Sequence, residues 1–185
     1  MGLLTGKKAF ITGAEQGIGK ESAKKLIEAG CDIYIHYFSG EEGPRELLAF
    51  AEQRGARAAC GFADLTNEDD AARCVAEAAE FLGGIDILVN NVGGIIARKW
   101  LGEIDAHFWR TVIDVNMTTM MNVTQQALPW LKAASEGASI VNLASLAGRS
   151  GGHAGSLVYS TTKGAVLTWT RSLAAELGEH GIRVN

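Results

Sequence analysis

Tyr159 and Lys163 lie four residues apart in a segment whose apolar spacing predicts a helix, so their side chains share one helix face. A free tyrosine has a pKa of about 10, which is too high for efficient proton transfer near neutral pH. A neighbouring ammonium group stabilises the phenolate and lowers that pKa. The pair could therefore move a proton to or from a substrate oxygen. The alternative is an exposed helix pair with no chemical role.

Ser145 directly follows the fifth predicted strand, at the edge where ligands bind to an open parallel sheet. Its hydroxyl could hold a substrate oxygen beside Tyr159. The alternative is a serine that only stabilises a turn or caps a helix, which the nearby Ser150, Gly151 and Gly152 also favour.

Residues 12–19 form a glycine-rich run between the first predicted strand and the first predicted helix. Gly13 permits a tight turn, and Gly17 and Gly19 let the backbone approach a pyrophosphate closely. The helix N-terminus supplies free N–H groups and the positive end of the helix dipole. Glycines alone are not specific, because turns collect them for steric reasons. In this strand–helix context they predict a dinucleotide-binding loop.

Short apolar runs alternate with longer amphipathic ones along the whole chain. This alternation predicts βαβ units, and the nearly continuous apolar strands indicate a parallel sheet covered on both faces. We expect one α/β domain over residues 1–185, a Rossmann-type doubly wound parallel sheet with helices on both faces. The predicted strands are 8–12, 31–36, 56–62, 86–90, 139–144 and 182–184, and the predicted helices are 17–29, 42–54, 67–82 with Thr66 or Asn67 as its cap, 103–134 and 156–178.

Composition and charge exclude several other classes of protein. Hydrophobic residues make up 47% and the net charge is −4, with no basic stripe, so a nucleic-acid partner is not expected. No apolar run approaches the roughly 20 residues of a membrane span, and the first residues contain no apolar stretch long enough for a signal peptide, so neither is expected. The cysteines Cys31, Cys60 and Cys74 have no metal-like spacing, and we interpret them as small buried hydrophobes in a reducing cytoplasm.

Five motifs occur in a fixed order along the chain. The glycine loop reads Thr-Gly-x-x-x-Gly-x-Gly, the pair Asp64-Leu65 follows the third strand, and residues 90–93 read Asn-Asn-Val-Gly after the fourth. Asn116 lies in a helix, and Ser145, Tyr159 and Lys163 follow with intervals of 14 and four residues. In these features the chain resembles the short-chain dehydrogenase/reductase family over essentially all of its 185 residues, with Val92 where the family has alanine.

The resemblance implies a role for each motif in an NAD(P)-dependent oxidoreductase that transfers hydride between nicotinamide and a carbonyl or secondary alcohol. Tyr159 would be the general acid/base, Lys163 would lower its pKa and hold the nicotinamide ribose, Ser145 would orient the substrate, and Asn116 would support a water-mediated proton relay. Asn90 would position cofactor and sheet or be purely structural. The residues expected to bind cofactor are Gly13, Gln16, Gly17, Ile18, Gly19, Asp64, Leu65, Asn90, Gly93, Tyr159 and Lys163, and no metal is expected.

The sequence carries opposing signals on the choice between NAD and NADP. An NAD enzyme usually has an acidic residue at the end of the second strand, near Tyr37, and none is present. An NADP enzyme usually offers a cation near Phe38 or in the glycine loop, where Glu15 would instead repel a phosphate. Lys20 and Arg45 lie in predicted helices and do not substitute. The missing acid favours NADP slightly.

Substrate selection and assembly depend on regions that the motifs do not cover. The family's substrate-binding segment follows the sixth strand, so we expect that segment to be missing here and the intact parent protein to have roughly 250 residues. The helices 103–134 and 156–178 resemble those that pair in the family's homodimers, often within tetramers. The alternatives are a catalytically silent NAD(P)-binding regulatory or scaffold protein and an epimerase or dehydratase, whose usual Gly-x-x-Gly-x-x-Gly loop does not match.

Overall fold

The computed structural model describes residues 2–185 and contains one six-stranded sheet. The strands are β1 (Lys8–Ile11), β2 (Asp32–Tyr37), β3 (Ala58–Phe62), β4 (Ile87–Asn90), β5 (Ala138–Asn142) and β6 (Ile182–Val184). Every neighbouring pair is parallel, in the order β3-β2-β1-β4-β5-β6. The chain builds the sheet outward to β3 and then returns beside β1, which opens a crevice at the carboxyl ends of β1 and β4.

Helices cover both faces of the sheet, which confirms the predicted doubly wound α/β fold. The helices are α1 (Gly17–Glu28), α2 (Glu42–Glu52), α3 (Glu68–Leu82), α4 (Ala106–Ile113), α5 (Thr119–Lys132), α6 (Ala147–Ser150) and α7 (Leu157–Leu177). Helices α1 and α2 pack on one face, and α3, α5 and α7 pack on the other. Alternate residues of β1 point to opposite faces, so Ala9 and Ile11 join the first core whereas Phe10 joins the second.

Most of the predicted element bounds agree with the structure to within two residues. Asn67 caps α3, since its side-chain oxygen accepts a hydrogen bond from the Asp70 backbone N–H at 3.0 Å. The cysteines are all free, and Cys31 and Cys74 are buried whereas Cys60 is partly exposed. Within residues 2–185, none of the helices has the length and apolar character that crossing a bilayer requires.

The predicted single helix over residues 103–134 is wrong in its interior. The structure divides it into a 3₁₀ turn (Leu101–Glu103), α4, a π-helical turn (Asp114–Thr118) and α5. The break arises because the Asn116 side chain donates to the Val112 carbonyl oxygen and also binds a distant loop. Such π turns insert one residue into a helix and are frequent at functional sites. Helix α5 contains Pro129 in its last turn and ends at Lys132.

Candidate active site

Lys163 lies inside α7 and is buried, with 4% of its surface exposed. Its Nζ donates a hydrogen bond of 2.6 Å to the carbonyl oxygen of Leu143, which follows β5. This bond ties the helix to the carboxyl end of the sheet. Burial lowers the pKa of Lys163 below its ordinary value, because the charged form loses solvation. The ammonium is therefore held rigidly at the crevice.

Tyr159 lies one helical turn before Lys163, and the Lys163 Nζ is 5.9 Å from the centre of its ring. Phe108 and Val112 of α4 pack in a small apolar cluster against Tyr159. The tyrosine borders two cavities. A larger one of about 390 Å³ contains the glycine loop and Lys163, and a smaller one of about 260 Å³ contains Ser145. Tyr159 is thus placed between the cavity beside the glycine loop and the cavity beside Ser145.

Ser145 lies three residues beyond the end of β5. Its Oγ accepts a hydrogen bond of 3.1 Å from the Ala147 backbone N–H, so the turn-stabilising role considered from the sequence is present. That bond uses one lone pair and leaves the hydroxyl proton available for donation. Next to this turn, α6 packs directly against α7. The two helices lie so close that a side chain at Gly148 would collide with the backbone of Lys163 and Gly164.

Asn116 lies in the π turn with 1% of its surface exposed. Its Nδ2 donates to the Val112 and Gly94 carbonyl oxygens, both at 2.9 Å, and its Oδ1 accepts from the Gly94 N–H at 3.0 Å. Gly93 fits between Asn116 and Lys163, since a Cβ there would lie 2.8 Å from the Asn116 Oδ1 and 2.9 Å from the Lys163 Nζ. The side chain therefore fastens the loop after β4 beside the lysine.

The glycine loop runs from β1 into α1 with Gly13 and Gly17 in the left-handed region, at φ +62° and +55°. A side chain at Gly19 would collide with the Gly13 carbonyl oxygen, so α1 reaches the loop only because residue 19 is glycine. Gln16 caps α1 without a side-chain hydrogen bond, which leaves the first N–H groups of the helix without a side-chain acceptor. This arrangement fits a pyrophosphate.

Asn91 is a site residue that the sequence reasoning missed. Its Nδ2 donates to the carbonyl oxygens of Thr12 at 2.9 Å and Gly13 at 2.7 Å, so it holds the glycine loop. The predicted Asn90 instead points away from the cavity, and its Nδ2 donates to Thr124 and Asn142, both at 2.9 Å. The sequence signal that could have identified Asn91 is its place beside Asn90 in the Asn-Asn-Val-Gly motif at residues 90–93.

The pair Asp64-Leu65 borders a third cavity of about 320 Å³, next to His36 and Phe38. The Asp64 carboxylate is engaged locally, because it accepts from the Thr66 N–H at 3.0 Å and the Thr66 hydroxyl at 2.6 Å. Leu65 is buried. These two residues therefore form a wall beside the glycine loop, at the end of the crevice away from Tyr159.

His36, which the sequence reasoning also missed, joins this wall to the glycine loop. Its Nδ1 accepts a hydrogen bond from the Gly13 N–H at 3.0 Å, and its Nε2 is 3.0 Å from the Ala63 carbonyl oxygen. This pattern requires the neutral tautomer with the proton on Nε2. Burial lowers the pKa of His36, which keeps the ring neutral. No motif signals this residue, because its role depends on strand pairing.

The predicted site residues thus fall into two groups. The larger cavity is bordered by Gly13, Gln16, Ile18, Gly19, Gly93, Tyr159 and Lys163, and Ser145 and Asn116 lie beside it. Gly17 starts α1, Asp64 and Leu65 border the third cavity, and Asn90 lies within the sheet. Among residues 2–185, no three histidine, cysteine, aspartate or glutamate side chains are grouped to hold a metal ion.

Comparisons with known proteins agree with this geometry. The model of the short chain dehydrogenase family matches residues 7–185. The uncharacterized oxidoreductase YhxC of Bacillus subtilis is 33% identical over 98% of this chain, and the match spans 62% of that relative. The chain thus spans less than two thirds of the length of this curated relative.

Two solved structures combine sequence and structural similarity. The NADH-dependent reductase A1-R′ complexed with NAD superimposes with a TM-score of 0.93 at 31% identity, over 97% of this chain and 76% of that one. A short chain dehydrogenase from Burkholderia cenocepacia in complex with NADP superimposes with a TM-score of 0.93 at 34% identity. The match covers 99% of this chain and 73% of that one. With its parallel sheet, glycine loop and Tyr–Lys helix, the chain belongs to the short-chain dehydrogenase/reductase family.

Proposed function

We propose that this protein transfers hydride between a nicotinamide dinucleotide and a carbonyl or secondary alcohol, with Tyr159 as general acid/base. The observation that carries this proposal is the position of Tyr159, which borders both the glycine-loop cavity and the Ser145 cavity one turn from a buried lysine. The glycine loop and the open N-terminus of α1 fit the pyrophosphate of such a cofactor. When bound, the nicotinamide supplies the hydride donor or acceptor.

The residues of this chain manage the accompanying proton. During reduction, the Tyr159 hydroxyl donates its proton to the substrate oxygen as that oxygen gains charge, and oxidation reverses the transfer. The ammonium of Lys163 stabilises the phenolate that remains. The Ser145 hydroxyl donates a hydrogen bond to the same substrate oxygen. Asn116 keeps the loop after β4 in place and, as the family resemblance implies, supports a water-mediated proton path to Lys163.

The Ser145 cavity also favours substrates that carry an anionic group. Arg98 and His153 border it, and none of the described residues that line it carries a carboxylate. Arg98 uses one N–H to bind the Ala154 carbonyl oxygen at 3.0 Å, so its other donors remain for a ligand. A guanidinium group can donate two parallel hydrogen bonds to a carboxylate. This supports an oxo acid or hydroxy acid in preference to an uncharged ketone or alcohol.

The test is Tyr159→Phe in the full-length parent protein. Oxidation of reduced cofactor is followed over oxo-acyl, sugar, steroid and simple ketone substrates, with 4-oxocyclohexanecarboxylate and its uncharged amide as a matched pair. Loss of the proton donor is expected to lower kcat by about 10²- to 10⁴-fold while cofactor affinity, measured by nicotinamide fluorescence, stays within about threefold.

Tyr34→Phe is the matched control, because it removes a hydroxyl that is bound to Glu77, away from the site. Equal turnover by the Tyr159→Phe protein would defeat the proposed proton transfer. A native protein that binds cofactor but converts none of the substrates would support the silent binding or scaffold alternative.

We further propose that the protein acts as a homodimer or homotetramer in the cytoplasm, on a small molecule. Free cysteines, two of them buried, suit a reducing compartment. The exposed face of α7 carries small side chains that would let a second copy approach closely.

A further inference from the structure

Glu15 places a carboxylate at the end of β2, near Tyr37, where the sequence itself has no acidic residue. It lies in the glycine loop, but its Oε1 accepts a hydrogen bond from the Phe38 backbone N–H at 3.4 Å and from the Ser39 hydroxyl at 3.3 Å. Both donors belong to the loop that follows β2. The side chain therefore reaches the end of β2, where NAD enzymes of this fold usually have an acid that binds the adenosine ribose.

The second carboxylate oxygen of Glu15 has no protein partner. Oε2 is buried, and no donor within residues 2–185 reaches it. A buried acceptor without a donor is unfavourable, and an ionised carboxylate accepts up to about four hydrogen bonds. Glu15 borders the larger cavity together with Phe38. The vacant acceptor lies behind the wall of this cavity, and a rotation of the Glu15 side chain would turn it toward hydroxyl donors that a ligand brings there.

Among residues 2–185, no cation forms an ion pair with this carboxylate. Lys20 binds Glu46, with 2.5 Å between Nζ and the carboxylate, and Arg45 binds Glu41 at 2.6 Å. Each basic residue that could have met a phosphate here is paired with an acid of its own. No ion pair to Glu15 occurs in the described part of the chain. A phosphate group at this point would meet an unscreened carboxylate.

The backbone of Glu15 is held as well as its side chain. Helix α2 approaches so closely that a side chain at Gly43 would collide with the Glu15 carbonyl oxygen. The Ala14 N–H donates to the His36 carbonyl oxygen at 3.0 Å, which fixes the residue before it. The backbone of Glu15 therefore cannot move away from the cavity without displacing α2 or β2.

We propose that Glu15 selects NAD over NADP, by accepting hydrogen bonds from the adenosine ribose hydroxyls and repelling a 2′-phosphate. The inference rests on the dinucleotide site of the proposed function. A ribose offers two hydroxyl donors to the vacant oxygen, whereas a phosphate offers only acceptors and negative charge. This reverses the slight preference for NADP drawn from the absence of an acid near Tyr37, because the acid comes from the glycine loop.

The experiment measures the Kd values of NADH and NADPH for the full-length parent protein by nicotinamide fluorescence, so that turnover is not required. NADH is expected to bind at least about 30-fold more tightly, and Glu15→Gln is expected to reduce that ratio about tenfold or more, mainly through tighter NADPH binding. Raising the salt concentration is expected to improve NADPH binding to the native protein relative to NADH, because salt screens the repulsion.

Glu21→Gln is the control, since Glu21 lies on the outer side of α1 and pairs with Lys24. Native Kd values within about threefold of each other, or an unchanged ratio in Glu15→Gln, would overturn the inference. If that variant does not fold, the native ratio and its salt dependence decide alone. Tight and selective NADH binding without turnover would leave this inference standing while the hydride-transfer proposal fails. Binding of neither cofactor would overturn both.

Discussion

At the scale of single residues, His36 joins two strands to the glycine loop through both ring nitrogens. Because burial lowers its pKa below 6.5, the folded protein keeps the ring neutral while the unfolded chain takes up a proton. The resulting stability is present above about pH 6.5 and is lost as the pH falls through the depressed folded value. Glu15 and Asp64 are the charged groups that face the ring and oppose this shift.

We therefore expect His36→Asn to flatten the dependence of unfolding free energy on pH below about pH 6.5. The asparagine oxygen can still accept from the Gly13 N–H, so the loop contact is retained. Urea unfolding at several pH values measures the effect. His107→Asn on the exposed side of α4 serves as control. If the free energy of unfolding changed with pH in the same way in the native and His36→Asn proteins, the pH dependence could not be assigned to His36.

The sequence predicts the candidate site residues that a local motif carries, and it does not indicate the residues whose contacts are tertiary. Tyr159, Lys163 and Ser145 were predicted because their spacing is local to one helix and one strand end. Asn91 and His36 were missed, since each acts by binding the backbone of a segment far away in the chain. Glu15 was recognised only as a source of repulsion, because its contact with the β2 loop is not visible in the sequence.

At the scale of elements, the close approach of α2 to the glycine loop depends on Gly43. We expect Gly43→Ala to push α2 outward, to lower the free energy of unfolding by about 1–3 kcal/mol, and to weaken NADH binding. Urea unfolding and fluorescence titration measure the two effects. Gly178→Ala is a control, because Gly178 has φ −59° and nothing within 4 Å of an added Cβ. A loss of the same size in both variants would argue against the steric explanation.

Hydrophobic periodicity located the strands and most helices but not the π turn in the helical segment 103–134. The apolar spacing continues through this segment, so nothing local marks a break. The π turn forms because Asn116 binds both its own helix and the loop at Gly94, and that loop is 22 residues away in sequence. Local patterns therefore predict an element's presence better than the distortions that function imposes on it.

At the scale of the whole molecule, α7 is 21 residues long and buries one side against the sheet and α4. Its exposed residues include five small ones, namely Thr161, Ala165, Thr168, Ser172 and Ala175, together with Leu157 near the start of the helix and Arg171 and Glu176 toward its end. A twofold axis beside this face would bring two copies of the helix together.

We expect light scattering of the full-length parent to give twice or four times the protomer mass. Ala165→Arg, in the middle of the small-residue face, is expected to shift the protein to monomers, because a long charged side chain prevents close approach. Ala49→Arg on the exposed side of α2 is the matched control and should leave the assembly unchanged. A monomeric native protein, or an Ala165→Arg protein that still assembles, would refute this interface.

The contact of α6 with α7 at Gly148 affects how firmly Ser145, Tyr159 and Lys163 are held relative to one another. Helix α6, which follows Ser145, packs directly against α7, which carries Tyr159 and Lys163, with no side chain between the two backbones at Gly148. The Leu143 carbonyl on the same strand end anchors the lysine. If the proposed proton transfer is correct, a separation of α6 from α7 is expected to move Ser145 away from Tyr159 and Lys163 in a single step.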